Sequence, residues 1–361
     1  MYRLARQLLV ALFVALAAAV PANAARRDFV GISSDDTFHG SSAYRNATFS
    51  RQRAAGVQLI RINWDWAAIE RSPGRYSFGE YDSYVGAAAA HHLRLLPVLH
   101  DPPRFRSSAP RHGAQRGEYP PSNFGAMGAF AAACVRRYGP KGSFWRSHPG
   151  LPKIPIRAWQ VWNEPSLPIY WRPRPSPSAY VHLLSAVRFG LRAADPHAEV
   201  VTAGVPPSKL RGAIRLTSFL KRMYRAGARR VFRTFALNSY ARNTRELSRT
   251  IRAVRRIMRR YGDGRKKIWI TELGWASSGP RHRFNVGRRG QARRIKSVLR
   301  WVRHRRRKLR LRGVVYFQWR DQRPYPPTYK DMWGLHTGLL DLGGNPKPAL
   351  RTFTRYARRL R

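Results

Sequence analysis

The stretches "IRAWQVWNEP" (residues 156–165) and "SAYVHLLSAVRFGLRAA" (178–194) contain one strand and the helix that follows it. The first is a short apolar run that ends in polar residues, which is typical of a buried strand. The second places apolar residues at helical spacing, which is typical of an amphipathic helix. A buried strand followed by such a helix is the unit from which parallel sheets are built.

The same unit recurs along the chain. Predicted strands cover residues 29–32, 59–63, 93–99, 156–161, 200–203, 233–238, 267–271 and 313–317. Predicted helices cover residues 44–55, 78–92, 124–138, 178–194, 216–226, 244–261, 287–306 and 347–360. Eight strand–helix units predict an α/β protein with a single closed (β/α)₈ TIM barrel, whose active site is built from the loops after the strands.

The N-terminus predicts export. Arg3 and Arg6 precede an apolar run over residues 8–20, and the small residues Ala22 and Ala24 follow. This pattern is typical of a secretory signal peptide, and the run is shorter than the roughly 20 residues that a membrane-spanning helix needs. We therefore expect a signal peptide at residues 1–24, one domain at 25–361 and a secreted protein, with an uncleaved anchor as the alternative.

The charge balance is strongly basic. The 361 residues contain 69 Lys and Arg against 18 Asp and Glu, which gives a formal net charge of +51. Such a charge raises the possibility of nucleic-acid binding. The arginines are spread along the chain, however, and no nucleic-acid-binding motif is present, so we expect no specific nucleic-acid partner. Loose attraction to anionic cell-wall polymers or acidic glycans remains open, as does a purely compositional origin.

Cysteine and metal-ligand patterns are sparse. Cys134 is the single cysteine, so neither an intrachain disulfide nor a thiolate metal site can form. It lies in the apolar helical stretch "AFAAACVRRYG", which favours a packed rather than a reactive thiol. No trio of His, Asp and Glu has metal-ligand spacing, so we expect neither a metal nor another cofactor.

The acidic residues can be classified by their position in the predicted strand–helix units. Those that lie at or beyond the C-terminal end of a predicted strand are Asp35, Asp36, Asp65, Asp101, Glu164, Glu272, Asp321, Asp331 and Asp341. Glu164 and Glu272 are the two glutamates of this set, and they follow the fourth and seventh strands. Because these strands face each other across the mouth of a closed barrel, the two side chains are expected to converge.

Two carboxyl groups on either side of a sugar linkage perform glycoside hydrolysis. At a separation of roughly 5–5.5 Å, one attacks the anomeric carbon while the other protonates the leaving oxygen. Asn163, next to Glu164, is placed to bind a sugar 2-hydroxyl. The alternative is that each glutamate forms a salt bridge with one of the many arginines.

Other residues at the strand ends suit a sugar site. His100 and Asp101 end the third strand, as sugar ligands or as a structural hydrogen-bonded pair. Trp171 and Trp275 lie in predicted strand-end loops, where indole rings either stack on sugars or pack internally. The loops 101–123 and 276–286 also leave strand C-termini and are candidates for the walls of the site.

Several motifs resemble those of a known superfamily. "WNEP" (162–165) and "ITELGW" (270–275) resemble the paired signatures of glycoside hydrolase clan A, the retaining β-glycosidases with (β/α)₈ barrels. The segment "GVQLIRINWDWAAIERSPGRYSFGEYD" (56–82) is similar to the second unit of family 39-like and family 5-like members. "VVYFQWRD" and "GLLDLGGNPKPAL" resemble the last unit, so the resemblance covers essentially the whole mature chain.

The resemblance implies roles for individual residues. Glu164 would be the general acid/base and Glu272 the nucleophile. The remaining site residues would be Asn163 for the 2-hydroxyl, Arg61 and Tyr240 beside the nucleophile, and Trp319 as the sugar platform. Relatives often have His-Pro-Tyr on the sixth strand, whereas this chain has Asn238-Ser239-Tyr240. Asn238 therefore puts the hydrogen bonding and the sugar preference of this subsite in question.

The sequence thus predicts a secreted, monomeric retaining glycoside hydrolase that acts on a β-linked glycan, with an acidic glycan as one option. One alternative is an inactive barrel that binds glycan through the same cleft. Another is a basic wall-attachment protein in which the cleft is incidental. The sequence does not distinguish endo from exo action or identify the sugar.

Overall fold

A computed structural model of the chain describes residues 28–110, 119–324 and 329–360. Its strands are β1 (Val30–Ser33), β2 (Leu59–Asp65), β3 (Glu70–Ser72), β4 (Arg75–Tyr76), β5 (Arg94–His100), β6 (Ala158–Val161), β7 (Glu199–Val201), β8 (Thr234–Asn238), β9 (Lys267–Glu272) and β10 (Leu311–Tyr316). Eight of them close a parallel barrel in the order β1-β10-β9-β8-β7-β6-β5-β2. The predicted (β/α)₈ barrel is confirmed, while the predicted signal peptide lies outside the described residues.

Helices follow the barrel strands. They are α1 (Asp36–His39), α2 (Ser42–Ala54), α3 (Trp66–Ile69), α4 (Gly79–Ala90), α5 (Phe124–Tyr138), α6 (Ser143–Ser147), α7 (Pro177–Ala194), α8 (Leu216–Arg225), α9 (Thr244–Arg260), α10 (Gly287–Arg305) and α11 (Pro348–Arg358). Short 3₁₀ turns cover Arg104–Arg106, Ala228–Arg230 and Trp333–His336. The eight long helices match the predicted ones to within about two residues. Across the described ranges, no helix is long and apolar enough to cross a bilayer.

The barrel interior is filled by a small apolar cluster. Seven strands each contribute one buried residue: Leu59, Leu96, Ala158, Val201, Ala236, Trp269 and Val315. The eighth strand, β1, contributes Gly31, which pairs in register with Leu59 and Val315. A Cβ on Gly31 would lie 2.8 Å from Leu59 Cδ2, so the narrow interior requires glycine there. Because this cluster closes the barrel, the two ends form separate surfaces.

A larger apolar core lies between the barrel and its helices. Its buried members include Phe130 and Leu184 on the helices and Ile60 and Ile270 on the strands. Cys134 is fully buried in this layer on α5, and burial raises the pKa of its thiol well above the usual value. The helices are thus held against the barrel by apolar burial, and the thiol is packed as predicted.

One addition to the barrel was not predicted. Strands β3 and β4 form an antiparallel hairpin directly after β2. Its first residue, Glu70, is fully buried and accepts hydrogen bonds from Trp66 Nε1 at 2.5 Å, the Gly74 amide at 2.7 Å and Arg106 Nη2 at 2.9 Å. Glu70 therefore ties the hairpin to α3 and to the loop after β5.

Candidate active site

Polar side chains converge at the C-terminal ends of the barrel strands. Asn238 and Glu272 are the last residues of β8 and β9, and they are neighbours in the register of this strand pair. Glu164 follows three residues after β6, and Arg61 lies within β2. Since parallel strands end at one rim, four separated parts of the sequence share one site.

Glu272 has a hydrogen-bond donor on each carboxylate oxygen. Arg61 Nη1 donates to Oε1 at 2.9 Å, and the Tyr240 hydroxyl donates to Oε2 at 2.5 Å. Burial, with the negative charge of Glu272 beside it, raises the pKa of Tyr240 well above its usual value, so the phenol keeps the proton that it donates. These contacts fix the orientation of the Glu272 carboxylate and compensate its charge.

Arg61 is held by further contacts. Its Nε donates to Gln160 Oε1 at 2.8 Å, and its Nη2 donates to Asn163 Oδ1 at 3.0 Å. Arg61 is 5% exposed, and the planar set of donors on its guanidinium is held between two amides and one carboxylate. Arg61 therefore connects Glu272 to Asn163 and, through Asn163, to the loop that carries Glu164.

Glu164 has a different environment. Its Oε1 accepts a hydrogen bond from Asn238 Nδ2 at 2.8 Å, and no Lys or Arg of the described chain lies within ion-pair distance. Burial, and then the charge of Glu272, raise the pKa of Glu164 to about 8, while Asn238 and Arg61 oppose the rise. The raised pKa favours the protonated form of Glu164. The salt-bridge alternative applies to Glu272 but not to Glu164.

The Asn238 side chain joins Glu164 to Asn163 and Thr271. Thr271 Oγ1 donates to Asn238 Oδ1 at 2.9 Å, which turns the amide nitrogen toward Glu164 and Asn163. Gly204 permits this placement, because a Cβ there would lie 1.9 Å from Asn238 Oδ1. Asn238 stands where the relatives often have histidine, and it is a fixed hydrogen-bond donor to Glu164.

Asn163 retains a donor for a ligand. Its Oδ1 accepts from Arg61 at 3.0 Å and from Asn238 at 3.3 Å. Within the described chain its Nδ2 donates to no protein atom, although the residue is half-buried at the mouth. An amide fixed by its oxygen presents both N–H groups outward, as recognition of a sugar hydroxyl requires.

Backbone strain concentrates at this rim. Asp101, Trp162 and Glu164 have positive φ angles of 53°, 71° and 43°. Residues other than glycine avoid this region, and such outliers cluster at functional sites. Here they form the bends that turn the ends of β5 and β6 into the mouth.

His100 and Asp101 form a pair. His100 Nδ1 lies 2.9 Å from Asp101 Oδ2, and the imidazole packs against Trp162 with ring centroids 4.7 Å apart. His100 Nε2 is buried without a hydrogen-bond partner among the described atoms. The two side chains are therefore in contact, and a sugar contact by His100 stays a prediction.

Three tryptophans do not line the cleft, contrary to expectation. Trp171 is 2% exposed and packs edge-on against Trp162 and Tyr180. Trp275 is fully buried against α10, with its Nε1 donating to the Ala241 carbonyl at 2.8 Å. Trp319 is 1% exposed, so no face of its ring is open to a sugar. These indoles are packing residues because the loops fold back onto the helices.

Other aromatic residues occupy the rim instead. Phe317, directly after β10, is partly exposed, and its ring centroid lies 6.2 Å from that of Tyr240. Trp333 is also partly exposed; it stacks on His282 at 5.2 Å and packs edge-on against Tyr240 at 5.0 Å. The sequence placed Phe317 inside the last strand, one residue too far, and this hid its position at the rim.

Asp35, after β1, is a further acid near the pair. Burial raises the pKa of Asp35, while the charge of Arg61 and the backbone N–H of Asn63 oppose the rise. The charge of Glu272 acts on it in the same upward direction as burial. The sequence placed Asp35 among the strand-end acids but gave it no role.

The fold is similar to that of solved glycoside hydrolases. A family 39 glycoside hydrolase from Bacteroides cellulosilyticus WH2 matches with a TM-score of 0.66 and 18% identity over 92% of this chain and 64% of that one. A family 39 β-xylosidase from Caulobacter crescentus gives 0.65 and 18% over 92% and 71%. Exo-β-1,4-mannosidase Op5Man5 from Opitutaceae bacterium strain TAV5 gives 0.62 and 15% over 94% and 60%.

Comparisons at the sequence level return nothing: no family model and no curated protein matches. The chain spans about two thirds of the length of its structural neighbours. The likeness therefore concerns the fold, which agrees with the resemblance seen in the two glutamate motifs. This chain has the closed (β/α)₈ barrel of family 39 and related clan A glycoside hydrolases.

Proposed function

We propose that the protein is a retaining glycoside hydrolase that cleaves β-linked saccharides, with Glu272 as nucleophile and Glu164 as general acid/base. One observation carries the proposal: two glutamates share a buried site in which Glu272 is paired with Arg61, whereas Glu164 has only an amide partner and a raised pKa. Two carboxyl groups whose environments differ in this way are the mark of an acid and nucleophile pair.

Glu272 suits the nucleophile because its charge and orientation are both set. Arg61 and Tyr240 hold one oxygen each, so the carboxylate is presented in one orientation. A fixed and desolvated carboxylate attacks an anomeric carbon with little reorganisation. In the first step, a Glu272 oxygen forms a bond to the anomeric carbon while the bond to the leaving oxygen breaks.

Glu164 suits the acid because it holds a proton near neutral pH. It transfers this proton to the leaving oxygen and becomes a carboxylate. In the second step that carboxylate accepts a proton from water, and the water oxygen bonds to the anomeric carbon. The bond to Glu272 then breaks, and two inversions give net retention.

The surrounding residues suit a sugar ligand. The Asn163 amide would donate to the 2-hydroxyl, where a contact strengthens in the transition state. Partly exposed Phe317 and Trp333 offer apolar ring surface beside Tyr240, in place of the predicted Trp319 platform. His100 and Asp101 remain proposed ligands at the opposite wall. Structural neighbours include a β-xylosidase and a β-mannosidase, so the sugar itself stays open.

The test is turnover of aryl β-glycosides by the wild type and by Glu272→Gln. Loss of the nucleophile is expected to reduce kcat by at least about 10³-fold, because no covalent intermediate forms. Glu80→Gln is a matched control, since Glu80 is an exposed acid in the first turn of α4. Equal turnover by wild type and Glu272→Gln, or glycan binding without cleavage, would instead favour an inactive glycan-binding barrel.

We also propose that the protein is exported and acts as a monomer. The leader-like residues 1–24 support export. Terminal sequencing of protein recovered from culture medium should begin at Ala25, whereas retention of Met1 in the membrane fraction would indicate an anchor. Light scattering should give the mass of one chain.

A further inference from the structure

The end of the barrel opposite the two glutamates contains a cavity of about 720 Å³. It is lined by the N-terminal ends of the strands, and we call it the basal cavity. Arg94 opens β5, Arg157 precedes β6, Arg233 precedes β8, Lys267 opens β9 and Arg312 lies in β10. Neighbouring strands are about 4.8 Å apart, so these five strands present their cations around one opening.

The acids of the basal cavity are already engaged. Arg312 Nη2 donates to Asp28 Oδ2 at 2.7 Å, and its Nε lies 3.3 Å from both oxygens of Glu199. Thr234 Oγ1 also donates to Glu199 at 2.6 Å. Among the described residues these are the two carboxylates that line the cavity, and both form an ion pair with Arg312.

The rim cations, in contrast, face solvent. Arg157, Arg233 and Arg265 are exposed, and none of the three has a described carboxylate within ion-pair distance. Deeper in the cavity, Arg312 is 3% exposed and its Nη1 has no hydrogen-bond partner among described atoms. Like charges around a concave, low-dielectric wall strengthen the local potential and attract anions.

A second cavity, of about 930 Å³, continues the basal one. The two share Arg157 and His197, and the second is lined further by Arg136, Lys141 and Arg146 on and after α5. A single small anion would fill only a fraction of the volume of the two cavities. The shape therefore suits an extended ligand with anionic groups repeated along it.

We propose that the basal cavity binds a segment of a linear polyanion. Guanidinium groups pair with carboxylates and phosphates in the same bidentate geometry, so this chemistry is common to an oligouronate and a polyphosphate chain. The site is independent of the proposed hydrolysis, because the apolar cluster of the barrel interior lies between the two ends. The net charge alone predicts attraction to anionic polymers without a defined binding site. The basal cavity supplies such a site.

The test compares two triple variants that remove equal charge. One is Arg157→Ser, Arg233→Ser and Arg265→Ser at the basal cavity. The other is Arg222→Ser, Arg252→Ser and Arg300→Ser, three exposed arginines on α8, α9 and α10. Calorimetry measures the binding of hexagalacturonate and of tripolyphosphate in about 0.15 M salt, where screening acts beyond about 8 Å. Melting curves verify that both variants fold.

We expect saturable binding of at least one probe, weakened at least tenfold in the cavity variant and less than threefold in the helix variant. The tighter probe identifies the source as carboxylate or phosphate. Equal weakening in both variants would show that net charge alone attracts polyanions. That result, or wild-type protein that binds neither probe saturably, would overturn the proposal.

Discussion

Both ends of the barrel contain arginines and carboxylates, but the two ends differ in which of these groups is left without an ion pair. At the mouth, Arg61 pairs with Glu272, while Glu164 has an amide partner and a raised pKa. At the base, Arg312 pairs with both Asp28 and Glu199, while the exposed Arg157, Arg233 and Arg265 have no carboxylate of the described residues within ion-pair distance. We propose that the acid without a cation serves as the proton donor, and that the cations without an acid form an anion site. In the described part of the chain, the mouth thus has a carboxyl group outside any ion pair, whereas the base has guanidinium groups outside any ion pair.

The largest effect expected at the mouth is on the rate at which glycosides with poor leaving groups are cleaved. Glu164→Ala should slow glycosides with poor leaving groups by about 10²–10⁴-fold, because the acid assists departure. Substrates with activated phenols should lose far less, since they leave without a proton. The ratio of kcat/KM between alkyl and nitrophenyl glycosides measures this. A uniform loss for both substrate types would contradict the role of Glu164.

At the base the expected effect is on stability. Arg312→Met removes the cation that pairs with both Asp28 and Glu199, in a site where Arg312 is 3% exposed. Breaking a buried pair in this way costs about 3–5 kcal/mol of unfolding free energy. Arg229→Met is the comparison, because its side chain is 66% exposed and lies 3.9 Å from Asp263, a geometry worth less than about 1 kcal/mol. Equal losses in urea unfolding would show that the basal pair is not structural.

A smaller effect concerns pH. Turnover should fall as pH rises through about 8, because the raised pKa of Glu164 marks the loss of the acid proton. The Asn238 amide donates to the charged form and so lowers this pKa. Asn238→Ala should therefore move the alkaline limb of kcat/KM to higher pH. Thr271→Val, which only frees the Asn238 amide to rotate, should move it less in the same direction. A shift to lower pH would contradict this arrangement.

The fold was predictable from sequence because each unit repeats one pattern. The eight barrel strands and eight long helices lie within a few residues of their predicted bounds, since apolar periodicity reports burial directly. The hairpin of β3 and β4 was missed because its strands are two and three residues long and mostly exposed. Such short segments have no periodicity to read.

The site was predictable only in part. Arg61, Asn163, Glu164, Asn238, Tyr240 and Glu272 lie on or next to strand ends, where the barrel dictates their direction, and they meet as expected. Trp171, Trp275 and Trp319 lie farther along the loops, where the path of the chain decides which way a ring points. A sequence shows that an indole follows a strand but not whether it turns toward the cleft or the helices.

The most direct test of the central claim is to identify which anomer is released first from a β-glycoside. Proton NMR, recorded before mutarotation, distinguishes the two anomers. Attack by Glu272 and then by water predicts that the β-anomer appears first. First appearance of the α-anomer would mean direct displacement by water, and Glu272 would then not be a nucleophile.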